Sequence, residues 1–226
     1  MGDTRDNRKG GCGELPEGFL MKELPKIASL LTSTIDHPNR ISLNIYLPYC
    51  NFNCIGCHNR DIAEGRFSEV PPEKLLWELD NNFIIDIVII TGGEPTLHGV
   101  KLLNLIELIR KRRSDLPIRV DSNGSLPDVL ELIADHVDGF AIDIKAPPFS
   151  KDKYERTIRA RFCPDDFIRS VKIAARLPYT IFRTVKYPWL TDEDLKEIRE
   201  FVSVYGEGKP HLVNPYFEVI KERAEI

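Results

Sequence analysis

The sequence predicts an α/β protein built as an open, partial (β/α)6 TIM-type barrel in a single domain. Three observations lead there. Apolar runs bounded by turn residues alternate with amphipathic helical patterns, as expected of repeated β–α units on a parallel sheet. Six such runs occur, too few for a closed eight-stranded barrel. Polar residues able to do chemistry follow the runs one after another, and α/β barrels collect their chemistry at the C-terminal ends of strands. A chain of 226 residues can bury a full core as one domain. The segment 1–18 is polar, Gly-rich and aperiodic and is expected to be poorly ordered, which leaves 19–226 as the domain.

The elements follow in order. Residues 41–47 make the first strand. A helix starts near Pro72 and places Leu75, Leu76 and Leu79 on one side. Residues 83–90 form a nearly continuous apolar run, suited to a strand covered on both faces. A helix over 99–112 carries Leu102, Leu105, Ile106 and Ile109 at helical spacing. Strands are expected at 118–121, 140–145, 180–185 and 211–214, and helices at 129–133 and 166–175. Thr191 and Asp194 have the spacing of a helix start, with Leu195, Ile198 and Val202 as the apolar stripe behind them.

Composition narrows the function. A formal net charge of −4 gives no reason to expect nucleic acid as a partner. The short basic run Arg110, Lys111, Arg112 and Arg113 falls at a helix end, where it complements the helix dipole as a solvated face. The first twenty residues lack a continuous apolar core, and no run is long enough to span a bilayer. A cytoplasmic, membrane-free protein is expected. Clustered thiols fit a reducing compartment.

The run CNFNCIGCHN, residues 50–59, carries the most chemistry. Cys50, Cys54 and Cys57 stand at C-x3-C-x2-C directly after the first strand. Thiolates are the usual ligands of iron–sulfur clusters. Three of them on a cubane leave one iron open to a small molecule. The competing reading is a Cys3His zinc site with His58, although adjacent Cys57 and His58 would strain a tetrahedron. Cys12 and Cys163 lack a companion at ligand spacing and read as bystanders.

Those residues resemble the cluster motif of the radical S-adenosylmethionine superfamily. The CHN ending, Cys57, His58 and Asn59, resembles the activating enzymes of glycyl-radical proteins. The lead-in from Thr34 to Pro38 is similar to the branch that activates anaerobic ribonucleotide reductase. The likeness extends from about Ser33 to Phe217 through further motifs in the family's order: Gly92, Gly93 and Glu94 of TGGEP, then Asp121 and Ser122, then Asp143 and Lys145 of D-x-K, then Arg183. Taken alone, Gly-Gly is an ordinary turn and Asp143 with Lys145 an internal ion pair. The resemblance implies more. Gly92, Gly93 and Glu94 would bind the amino group of S-adenosylmethionine. Asp121, Ser122 and Asp143 would surround the cofactor and a monovalent cation. Lys145 and Arg183 would face the cofactor carboxylate or ribose, and His58 and Asn59 would add contacts. Gly56 and Phe217 depart from the family, which usually places an aromatic residue before the third cysteine and in some activators a C-terminal histidine. Phe217 or Tyr216 would then supply the stacking. His98 and His211 receive no role, and Trp77 and Trp189 are expected to pack.

The activity implied is one-electron cleavage of S-adenosylmethionine at a [4Fe–4S] cluster. The resulting 5′-deoxyadenosyl radical would take a hydrogen from a glycine of a partner enzyme. An anaerobic ribonucleoside-triphosphate reductase is the first such partner, with flavodoxin or ferredoxin as electron donor. A radical enzyme acting on a small molecule, such as a deazapurine synthase, and a zinc-stabilised binding module are the alternatives.

Overall fold

The computed structural model describes residues 24–218. The segment 1–18, with Cys12, lies outside them. Seven strands form one sheet in chain order: β1 (Ser29–Ser33), β2 (Ser42–Leu47), β3 (Ile87–Gly92), β4 (Ile118–Ser122), β5 (Gly139–Asp143), β6 (Ile181–Lys186) and β7 (His211–Pro215). From β2 to β7 every pairing is parallel, while β1 pairs antiparallel with β2. The edge strands β1 and β7 do not pair with each other, so the barrel is partial and open.

Among the described residues, seven α-helices accompany the sheet: α1 (Arg60–Ala63), α2 (Pro72–Asn81), α3 (Val100–Arg112), α4 (Pro127–Ile133), α5 (Lys151–Ile158), α6 (Pro164–Ala175) and α7 (Asp192–Tyr205). Their apolar stripes explain them. On α3, Leu102, Leu105, Ile106 and Ile109 are fully buried, each contributing about 1.5–3 kcal/mol. On α7, Thr191 and Asp194 close a reciprocal capping box at the helix start.

Strand alternation divides the sheet into two faces. Leu43, Ile45, Val88, Ile90, Val120, Phe140 and Ile142 belong to the apolar core shared with the helices. The residues between them, including Asn44, Tyr46, Thr91, Asp121 and Asp143, line an interior cavity. The polar residues of the strands are thus gathered on the concave side.

Several expectations are corrected. The strand expected at 83–90 begins at Ile87. Phe83 and Ile84 are 82% and 63% exposed and belong to the loop before it. β1 was missed because its half-exposed SLLTS has no clean alternation. α1 is a single turn, too short to show a period. α5 is dominated by charge, with Tyr154 and Ile158 as its buried apolar pair. The basic run at the end of α3 is tied down rather than solvated. Arg110 bonds Asp138 and the Leu116 carbonyl, Arg112 pairs with Asp80 at 2.9 Å, and Arg113 reaches the Leu79 carbonyl. Trp77 is 59% exposed and packs little, whereas Trp189 stacks on Tyr187 with ring centroids 4.7 Å apart.

Candidate active site

The cysteine loop leaves β2 through Tyr49, whose φ of +70° puts a bulky residue in the left-handed region. Two bonds to α1 hold it there: Tyr49 N–H to the Ile62 carbonyl at 3.0 Å and Cys50 N–H to the Ala63 carbonyl at 3.2 Å. On the far side, Asn53 N–H donates to Ile158 O and Ile55 N–H to Thr157 O, at 2.9 and 3.0 Å. The two unpredicted helices α1 and α5 therefore clamp the loop. Arg60 ties it further, donating to Asn53 Oδ1 and the Cys54 carbonyl.

Cys50, Cys54 and Cys57 are free thiols, and all three line one cavity of about 540 Å³. That volume suits a drug-sized ligand. Burial pushes the Cys50 thiol up to about 12, opposed by the Phe52 N–H directed at its sulfur. Burial also raises Cys54, with Lys145 acting the other way. Loading metal on these sulfurs therefore releases protons.

Among the described residues, no three His, Cys, Asp or Glu side chains converge on a single ion. A mononuclear zinc site needs such convergence, with sulfurs about 2.3 Å from one centre. His58 Nε2 lies instead 3.3 Å from the Phe217 carbonyl oxygen. A cluster makes a different demand, because each thiolate binds its own iron. Three thiols that share one cavity without converging on one ion fit a cubane.

The loop after β3 is zipped to the cysteine loop. Gly93 N–H donates to the Leu47 carbonyl at 2.8 Å and Glu94 N–H to the Tyr49 carbonyl at 2.7 Å. A Cβ on Gly92 would lie 2.3 Å from Leu47 O, and one on Gly93 2.0 Å from Tyr49 O. Close approach of two backbones of this chain thus accounts for both glycines, a reason the sequence did not reveal.

Glu94 is 1% exposed. Its Oε1 accepts the Thr96 N–H at 3.1 Å, the Thr96 hydroxyl at 2.6 Å and the Ser122 hydroxyl at 2.8 Å. Its Oε2 accepts the Asn123 N–H at 2.7 Å, which leaves this oxygen acceptor capacity toward the cavity. Burial raises Glu94, and those four bonds oppose the rise. Glu94→Gln turns one oxygen into a donor facing a donor. A loss of about 1–3 kcal/mol is expected, measured by denaturant titration.

Ser122 is thereby a partner of Glu94. Asp121, Asp143, Lys145 and Arg183 form a second network. Arg119, wholly buried, donates from Nε to Asp121 Oδ1 at 2.8 Å. Arg183 bridges Asp121 at 2.7 Å and Asp143 at 2.9 Å, and Lys145 pairs with Asp143 at 2.8 Å. Burial alone would raise Asp143, but Arg183 and Lys145 override it and hold the carboxyl down at about 2. In this arrangement both carboxylates are matched by cations. Asn59 closes the rim, donating from Nδ2 to the Gly92 carbonyl at 3.0 Å.

Sequence reasoning gave no role to Asn123, whose amide approaches Cys50 Sγ at 3.9 Å and bonds Asn51 Oδ1 at 2.9 Å. It also missed Tyr187, buried on the cavity wall. His98 lies 3.0 Å from the Pro48 carbonyl oxygen and His211 2.9 Å from the Thr184 hydroxyl, both in structural contacts.

A model of the radical SAM superfamily matches residues 44–202, more than half of the chain. The chain belongs to the radical SAM superfamily. It is therefore an enzyme, and the matched span runs from within β2 into the last turn of α7. Among curated proteins, one provisionally named a glycyl-radical enzyme activating enzyme, from Methanocaldococcus jannaschii, is 31% identical over 131 residues, covering 57% of this chain and 52% of that one. A 7-carboxy-7-deazaguanine synthase of Clostridium acetobutylicum is 27% identical over 127 residues, covering 54% and 55%. The chain spans about half the length of these curated relatives. Among solved structures, anSMEcpe with bound AdoMet and the Kp18Cys peptide superposes with a TM-score of 0.61 at 15% identity, covering 82% of this radical SAM chain and 54% of that one. At that identity the likeness concerns the fold. Among the described residues no helix is long and apolar enough to cross a membrane.

Where the superfamily resemblance led to an aromatic residue before the third cysteine, this chain has Gly56 at φ +65°. The Tyr216 ring fills the vacated space, with Cε2 only 2.6 Å from where a Gly56 Cβ would stand. Tyr216 leans on Tyr187 and Trp189, at 5.6 and 6.3 Å between centroids, and Phe217 follows on the cavity wall. Gly56→Ala is expected to cost about 1–2 kcal/mol from backbone conformation, plus the clash with Tyr216. Gly56→Ala in a Tyr216→Ala background should lose only the backbone part. A double-mutant cycle by denaturant unfolding measures the difference.

Proposed function

We propose that this enzyme holds a [4Fe–4S] cluster on Cys50, Cys54 and Cys57, and S-adenosylmethionine in the same cavity. We further propose that it activates a glycyl-radical protein, an anaerobic ribonucleoside-triphosphate reductase, in the cytoplasm. The observation that carries this reading is the sharing of one cavity by three free thiols, the Gly92–Glu94 turn and the Asp143, Lys145 and Arg183 network. When bound, the cluster would supply one electron for cleaving the cofactor to methionine and a 5′-deoxyadenosyl radical.

The chain's own residues hold and shield. Glu94, buried and on the cavity lining, is suited to an ammonium group. Lys145 and Arg183 are suited to orient a carboxylate or a ribose. A ligand carboxylate would share these cations with Asp143 rather than take them from it. Asn59 and His58 brace the rim. Tyr187 and Phe217 supply apolar wall, which helps exclude water from a reactive carbon radical. The gap between β1 and β7 would admit a loop bearing the target glycine.

A small-molecule substrate is the second reading, favoured by the deazaguanine synthase among the relatives. The test is electron paramagnetic resonance on reconstituted, reduced enzyme mixed with S-adenosylmethionine and an anaerobic reductase. A glycyl-radical doublet on the reductase supports the activator. Cofactor cleavage with no doublet, coupled instead to turnover of a purine-like small molecule, would overturn it.

A further inference from the structure

The three thiols of the cavity do not have the same surroundings. The Cys50 sulfur receives the Phe52 N–H at 3.4 Å and the Asn123 side-chain amide at 3.9 Å. Among the described residues, no hydrogen bond reaches the sulfur of Cys54 or of Cys57. Burial pushes the Cys50 and Cys54 thiols up, and the charges beside them then differ. Cys50 meets the carboxylate of Glu94, whereas Cys54 meets the ammonium of Lys145. The sulfur beside a negative charge is the one supplied with neutral donors.

Asn123, just beyond β4, is fixed from several sides. Its main-chain N–H donates to Glu94 Oε2 at 2.7 Å. Its Oδ1 accepts the Ser125 N–H at 2.9 Å, so Nδ2 is the end of the amide that faces Asn51 and Cys50. Nδ2 carries two hydrogens. One goes to Asn51 Oδ1 at 2.9 Å, and Asn51 closes a ring by donating from Nδ2 to the Ser125 hydroxyl at 2.8 Å. The other is thereby held toward the Cys50 sulfur. Asn123 is buried, so bulk water does not compete for that hydrogen. Folding of the loop is served by the bonds to Glu94, Ser125 and Asn51. The hydrogen toward Cys50 is surplus to them.

We propose that Asn123 is a positioning residue that sets the electron affinity of the cluster, acting through the sulfur of Cys50. The proposal rests on the cluster reading above. Hydrogen bonds to the ligand sulfurs are among the levers that set the potential of an iron–sulfur centre. The thiolate gains negative charge when the cluster takes up one electron, so a donor aimed at it stabilises the reduced form more than the oxidised form. That electron comes from a small reductant such as dithionite, and no bond in the protein is made or broken. The same residue holds Glu94 by its main chain. The loop after β4 therefore ties the Cys50 sulfur to the carboxylate suited to an ammonium group.

The test is a potentiometric titration with dithionite of the reconstituted full-length protein, without S-adenosylmethionine, read by electron paramagnetic resonance of the reduced cluster. Asn123→Leu removes the donor. Asn123→Asp keeps the acceptor for Ser125 and puts a charge where the donor was. Asn51→Ala opens the ring but leaves Asn123 on Ser125 and Cys50. At a fixed potential the reduced-to-oxidised ratio is expected to fall about tenfold in Asn123→Leu, a shift of about 59 mV for one electron, and further in Asn123→Asp. Asn51→Ala should stay nearest wild type. Isotopic labelling of the asparagine side-chain nitrogens gives a second readout: a weak nitrogen coupling to the reduced cluster, present in wild type and lost in Asn123→Asp. Where Asn123→Leu fails to load iron, Asn123→Asp and the nitrogen coupling decide. Equal potentials in wild type and the Asn123 variants would overturn the proposal. So would a shift in Asn51→Ala as large as that in Asn123→Leu, which would assign the effect to packing of the loop. A wild-type protein that takes up no iron and sulfide would sink the cluster reading itself, an outcome visible before any potential is measured.

Discussion

Gly93→Ala is expected to destroy the fold around the site. The new methyl would sit 2.0 Å from the Tyr49 carbonyl oxygen and 2.6 Å from its carbon, and neither backbone can yield. Gly93 N–H and Glu94 N–H bond the β2 end at Leu47 and Tyr49, so separating the two loops breaks both bonds. It would also pull Glu94 out of its buried pocket. A cost of at least about 4 kcal/mol is expected, a large share of the roughly 5–15 kcal/mol available to a domain. Gly99→Ala is the control. Gly99 also has a positive φ, +51°, but nothing lies within 4 Å of its added Cβ. Its ψ of −123° lies outside the left-handed helical well, so that change should cost about 1–3 kcal/mol for backbone conformation alone. Urea unfolding of the two variants distinguishes backbone collision from backbone strain.

The second large effect lies in the charge network. Asp121 takes Arg119 on both oxygens, at 2.8 and 3.2 Å, and Arg183 on Oδ2 at 2.7 Å, and Arg119 has no exposed surface. Asp121→Asn leaves a buried guanidinium without its counter-charge, for which about 3–5 kcal/mol is expected. Asp143→Asn should cost less, since its side chain retains 28% exposure and water can enter. Chemical denaturation of both variants at neutral pH gives the order. A larger loss for Asp143→Asn would mean that Arg183, rather than Arg119, anchors the interior.

Much of this fold was legible because strands facing helices carry a simple signature. Leu43, Ile45, Val88, Ile90, Phe140 and Ile142 all lie in the core, within the apolar runs the sequence marked as strands. What was hidden had weak periodicity. β1 is a half-exposed edge strand, α1 is one turn, and α5 owes its place to two buried residues among charges. The run from Phe83 misled because apolar composition does not say where chain leaves solvent. Its first two residues stay outside.

The site follows the same division. Cys50, Cys54 and Cys57 stood out because they are neighbours in sequence. The residues brought to their cavity by strand order, Asp121, Asp143, Lys145 and Arg183, were named through resemblance. Their pairing into one salt-bridged network depends on distances that spacing does not encode. The clamp from α5, the Asn123 amide near Cys50 and the Tyr216 ring beside Gly56 all join distant segments. No local pattern announces them.

The central claim is that three separated thiols hold a redox-active iron–sulfur cluster that cleaves S-adenosylmethionine. The most direct test is anaerobic reconstitution of wild type and Cys54→Ala with iron and sulfide, reduction in the presence of S-adenosylmethionine, and measurement of 5′-deoxyadenosine beside bound metal. Wild type is expected to hold four irons per chain, as a cubane requires, and to release 5′-deoxyadenosine, while Cys54→Ala does neither. Wild type that binds a single zinc without sulfide, or that carries the full cluster and leaves the cofactor intact even with its partner present, would contradict it.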